Sequence, residues 1–179
     1  MPHFLRPAVA LLLALSCVAG ARAEDVQIAA FYGRYEGTGI TEKLESVYYG
    51  MAAPDIDVEI GPAGNGFFVQ WTSVERESAD PSNPSVRRID TRIQFVQGGH
   101  SGTYRAVAPD AKVGGAYVWA TVSGQTLTVH LLAPEAAGGF ELQTYERSLT
   151  DLGMALAISR VRNAQQLLFL RGRMMKVSP

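Results

Sequence analysis

Cysteine is almost missing from this chain. Its single copy, Cys17, lies near the start, so the rest carries no disulfide, no thiol nucleophile and no thiolate for a metal. Histidine is nearly as scarce, at His3, His100 and His130. None has a histidine neighbour at ligand spacing, and a metal site would have to lean on carboxylates. No run of Lys or Arg exceeds a pair, and beyond residue 23 only 14 cations face 17 acids. That weak balance excludes the basic footprint of a nucleic-acid binder. No Gly-x-Ser-x-Gly elbow occurs, and the glycine-rich stretches lack a phosphate-binding lysine and a strand–loop–helix setting. Ser101 does stand beside His100, but within Gly98-Gly99-His100-Ser101-Gly102, which reads as a solvated turn. The expectation is no catalytic residues, no cofactor and no metal.

Long hydrophobic runs are also absent, with one exception. Met1 to Ala23 has a basic start at Arg6, an apolar run from Ala8 to Ala19 and the small-x-small ending Ala21-Arg22-Ala23. This predicts a signal peptide over residues 1–23, cut after Ala23, and a periplasmic or secreted protein over 24–179. The apolar run is short for a bilayer span, and no other segment predicts a transmembrane segment. Ala14-Leu15-Ser16-Cys17 resembles a bacterial lipobox, so a lipid anchor at Cys17 is the rival reading.

What is present is a series of short alternating segments. With 47% of residues hydrophobic and 18% charged, the 179 residues suit one domain with a core. Phe31–Glu36 begins a strand that Gly37-Thr38-Gly39 bends or ends, and Val47-Tyr48-Tyr49 favours a strand over Thr41–Tyr49. Asp55-Ile56-Asp57-Val58-Glu59-Ile60 alternates strictly, and Gly61–Gly66 reads as a turn with Asn65-Gly66 at positive φ. Phe67–Glu75 returns. Two prolines hold Asp80-Pro81-Ser82-Asn83-Pro84 out of the sheet. Val86–Gln97, Thr103–Ala108, the Tyr117–Leu131 hairpin, Phe140–Arg147, Met154–Val161 and Gln165–Met174 follow, each after a short connection.

Asp55, Asp57 and Glu59 lie along about 13 Å of one strand face. A straight row does not converge on a cation, which needs oxygens at roughly 2.3 Å from one point, so these acids are read as a solvated face. His130 shares a face with Thr126 and Thr128 and is read as a polar surface or lining residue.

The pattern predicts an all-β fold: an antiparallel up-and-down meander of 8–10 strands closed into a barrel, with a β-sandwich as the alternative. Gly33-x-Tyr35, preceded by Phe31, resembles the Gly-x-Trp signature of the lipocalins and their calycin relatives, with Tyr35 in place of the tryptophan. The resemblance implies a lipocalin-like barrel whose closed end is plugged by Tyr35. It also implies a last-strand cation over the ring, from Arg171 or Arg173.

An inward apolar register would place Phe67, Val69, Trp71, Ile93, Phe95, Tyr117, Trp119 and Phe140 on a cavity wall. A small hydrophobic, lipid-like ligand is then expected, bound without catalysis. Two other functions fit the same sequence. One is an interaction or inhibitor module with a packed interior and the 80–84 loop as contact. The other is a small hydrolase or isomerase using a cavity carboxylate or tyrosine.

Overall fold

The computed structural model describes residues 26–43, 55–76, 86–107, 115–136 and 138–179. The expected leader, with Cys17 and the cleavage site, lies outside them, as do the 80–84 loop and positions 44–49 of the segment expected as a strand. A single 3-10 turn, Ile28–Phe31, precedes ten strands. They are β1 (Gly33–Lys43), β2 (Asp55–Ala63), β3 (Gly66–Arg76), β4 (Val86–Gln97), β5 (Thr103–Ala106), β6 (Tyr117–Ser123), β7 (Thr126–Pro134), β8 (Phe140–Thr150), β9 (Gly153–Arg162) and β10 (Gln165–Ser178).

Each strand pairs antiparallel with its neighbours in sequence. β1 pairs with both β2 and β10, which closes the barrel. The sandwich alternative is therefore excluded, and every strand has a partner on both sides, although β5 covers β4 only along Phe95–Gln97. Glycines permit the seam. β1 runs straight through Gly37-Thr38-Gly39 because a Cβ on Gly37 would strike the backbone of Arg173 and Met174. Gly39 lies directly opposite Gly172. The glycines that were expected to end the strand are what bring its partner close.

One face of every strand turns inward. Val58, Ile60, Phe67, Val69, Ile93, Phe95, Ala120, Val122, Leu127, Val129, Met154, Leu156 and Met174 form one buried cluster. Phe67 stacks on Phe95 with centroids 5.1 Å apart and meets Tyr104 edge-on at 5.0 Å, a geometry favoured by the ring quadrupoles. The outer face carries Arg34, Glu36, Glu59, Asp90, Arg92, Arg105, Glu146, Arg171 and Arg173, all exposed. A lipid-facing barrel would show the opposite polarity, apolar outside and polar within. Among the described residues no helix is long and apolar enough to cross a membrane. On the outer face Phe68 is still buried, roofed by the Arg92 guanidinium at 3.4 Å and laid across Gly61, the residue opposite it.

The two ends differ. At one end the connections are tight: Gly64-Asn65, Gly98–Gly102, Gly124-Gln125 and Asp151-Leu152. The positive φ of the first turn falls on Gly64 (57°), not on Asn65-Gly66 as expected, because β2 continues to Ala63. The 3-10 turn seals this end. Phe31 is fully buried, and Val26 N–H donates to Gly124 O across the β6–β7 turn at 3.1 Å. The Tyr35 hydroxyl donates to Phe31 O at 2.9 Å. Tyr35 thus lies where the resemblance placed it, but the cation does not. Lys176 Nζ stands 5.8 Å from the ring centroid, in space kept by Gly33, where a Cβ would strike Lys176 Cε. Arg173 points outward, as does Arg171, whose guanidinium lies over Phe169 at 4.8 Å. The continuous register that runs from Lys43 opposite Leu168 to Tyr35 opposite Lys176 puts Lys176, not an arginine, beside the ring, and the pairing shifts only beyond it, at Arg34.

Tyr35→Phe removes the bond that ties the plug to the barrel and leaves a buried carbonyl unpaired. It is expected to lower unfolding free energy by about 1–2 kcal/mol with the fold intact, as read by urea denaturation followed by circular dichroism.

Candidate functional site

At the opposite end the chain runs through its longer connections, 44–54, 77–85, 107–116 and 135–139. Towards this end the inner wall becomes polar, chiefly on β8 with Arg160 and Arg162 of β9 beside it. On β8, Tyr145 pairs with Val129 and Ile158, and Arg147 with Leu127 and Leu156. Those four apolar neighbours face inward, so Glu141, Gln143, Tyr145 and Arg147 do as well. The alternation of β8 read alone suggested the reverse, with Phe140 inward. Phe140 is 45% exposed and lies on the outer face.

Of the residues expected on the cavity wall, Phe67, Val69, Trp71, Ile93 and Phe95 are inward and buried. Tyr117 and Trp119 are outward, because Val118, Ala120 and Val122 take the inner face of β6. Tyr117 is 69% exposed. Trp119 stacks on His130 at 4.8 Å, and burial there lowers the His130 pKa against the opposing pull of Glu146. His100 and Ser101 are exposed in the β4–β5 turn. Glu59 is exposed on the outer face of β2, as expected of the acidic row.

The inward polar side chains of β8 form a hydrogen-bonded ladder. The Tyr145 hydroxyl donates to Gln143 Oε1 at 3.0 Å, and Gln143 Nε2 donates to Glu141 Oε1 at 2.8 Å. Glu141 also receives two bonds from Arg160, at 2.6 and 2.9 Å, and two from Arg162, Nε at 3.2 Å and Nη2 at 2.8 Å. Arg162 reaches Glu135 at 2.9 Å as well. Two acids and two arginines therefore balance at the mouth. The hydrogen bonds from Arg160 hold the Glu141 pKa down at about 2, against the upward push of burial.

Further in, Trp71 of β3 meets Tyr145 of β8 with ring centroids 5.1 Å apart. These strands lie on opposite sides of the barrel, so the two walls touch at this level. Arg147, one inward position nearer the sealed end, is 1% exposed. Its guanidinium carbon lies 5.6 Å from each ring. No described residue offers a hydrogen-bond partner to its Nε or Nη1. Burial lowers its pKa to about 10, so it remains a cation at neutral pH.

Reasoning from sequence missed Glu141, Gln143 and Arg147. A signal was available: the two-residue turn at Asp151-Leu152 places Leu149 opposite Met154. Counting back by twos from Leu149 puts Arg147 and Tyr145 on the face of Leu156 and Ile158.

A separate hollow of about 210 Å³ on the outer face of β1–β3 is lined by Arg34, Asp57, Glu59, Gln70 and Thr72. It is open and polar. Among the described residues no three His, Cys, Asp or Glu side chains are grouped to hold a metal. A scan against protein-family models and a search of curated proteins find no match to this chain.

The Glu141 cluster should show in acid stability. A carboxylate whose folded pKa lies below its ordinary value stabilises the fold above that ordinary value, near 4.5, and loses the contribution as pH falls towards 2. Glu141→Gln is expected to cost about 1–3 kcal/mol at pH 7, the half-exposed arginines keeping it below a fully buried pair. The variant should also flatten the acid limb between those pH values, as read by denaturation midpoints across pH 2–7.

Proposed function

We propose that this barrel binds one small hydrophobic molecule in its lumen without transforming it, and does so outside the cytoplasm, where the predicted leader would send it. The observation that supports this is the contrast between the two ends. One is stitched shut by Phe31, Tyr35 and backbone bonds across the turns, while at the other the inner wall changes from apolar to polar. Binding sites for small molecules are mostly apolar with a few placed polar groups. Gln143, Tyr145 and Arg160 supply such groups against Ile158 and Leu168. A finer relation to the lipocalins is part of the same proposal, resting on Gly33-x-Tyr35, the plugged end and the Lys176 cation over the ring.

Native mass spectrometry of protein purified from a cell envelope fraction is expected to show a co-purifying mass of lipid size, and a panel of fatty acids and alcohols to raise the melting temperature. Ligand entry should change the emission of Trp71, which lines the lumen. In Trp71→Phe the remaining Trp119, on the outer face, should give no response. A protein with no bound species and no thermal shift against the panel would leave this reading without support.

A further inference from the structure

We infer that the ligand carries a single carboxylate and that Arg147 is the group that receives it, an inference that rests on the lumen being the binding site. The charge balance inside the barrel leads there. Among the described residues Glu141 is the other buried charge, and its oxygens are taken by Arg160, Arg162 and Gln143. Glu146, adjacent on β8, faces outward and is exposed. Arg147 thus has no carboxylate beside it among the described residues, and its Nε and Nη1 donors have no partner there.

Magnitudes decide whether the surrounding rings suffice. A cation over aromatic faces gains about 0.5–2 kcal/mol, and the Trp71 and Tyr145 contacts are long at 5.6 Å. Removing a guanidinium from water costs several kcal/mol even after relaxation. The rings do not offset that, and an uncharged residue of similar length, such as methionine, would pack among Leu127, Leu156 and Trp71 without the penalty. A cation kept there at a loss to stability is suited to an anion that arrives from outside.

The class of anion follows from charge and shape. One guanidinium neutralises one negative charge, and a carboxylate matches its planar fork. A doubly charged phosphate would leave net charge among apolar walls. Tyr145 stands one inward position nearer the mouth and touches Trp71 across the lumen, so those two rings must part for the head group to reach Arg147, and the tail then lies towards Ile158 and Leu168.

Titration calorimetry with dodecanoate and with dodecan-1-ol, which share a chain length and differ in the head, tests this on the full protein. The acid is expected to bind at least about tenfold tighter than the alcohol, and Arg147→Met to abolish that preference. Equal affinities in the unaltered protein would overturn the carboxylate inference and leave the lumen reading standing. Failure of both probes to bind would sink the lumen reading and this inference with it. Should Arg147→Met not fold, the bound carboxyl of [1-¹³C]dodecanoate in the unaltered protein decides by NMR. Titration below the free acid supports contact with the guanidinium, and titration at or above it refutes that contact.

Discussion

The pairing of β1 with β10 is the contact on which the remainder of this molecule depends. Without it ten antiparallel strands would form an open sheet with two unsatisfied edges, and its apolar face would lie open to water. With it, the same residues enclose a lumen and the backbone groups along the seam are satisfied. The seam is built from residues with little or no side chain on the inner face, Gly37, Gly39 and Gly172, so the first and last strands approach closely. The plug belongs to the same seam: Tyr35 begins on β1, bonds back to Phe31 and lies beneath a lysine from β10.

Closure also creates an inside in which charge is expensive, and β8 places charge there twice. The two instances are resolved differently. Glu141 sits at the mouth, where half-exposed arginines reach it without being fully dehydrated, and the cluster is neutral within itself. Arg147 sits beyond the contact of Trp71 with Tyr145 and has two aromatic faces but no anion among the described residues. The Tyr145–Gln143–Glu141 ladder joins the two sites along one strand. Polarity therefore rises towards the mouth through a hydrogen-bonded series, while the deepest charge stays isolated.

Much of the architecture was legible in the chain. Strict alternation in Asp55–Ile60 and Phe67–Thr72 correctly assigned Val58, Ile60, Phe67, Val69 and Trp71 to the inner face. Tight turn chemistry at Gly124 and Gly64 marked hairpins, although the turn read over Gly61–Gly66 is only Gly64-Asn65 and β2 is correspondingly longer. The site was less legible. Tyr117, Trp119 and Phe140 are aromatic and were read as lining, yet aromatic residues also cover outer faces, as Trp119 does against His130.

The amino-acid sequence by itself determined that these segments are strands, that they alternate in polarity and that they follow one another with short links. A period of two and the positions of glycine and proline are local properties, and no distant contact is needed to read them. Only the tertiary structure decided which face of β8 turns inward and which cation covers Tyr35. A one-residue change of register exchanges the two faces of a strand, and register is set by partners far away in the chain. Leu127 and Leu156 hold Arg147 inside, and the register of β1 on β10 brings Lys176 over the plug.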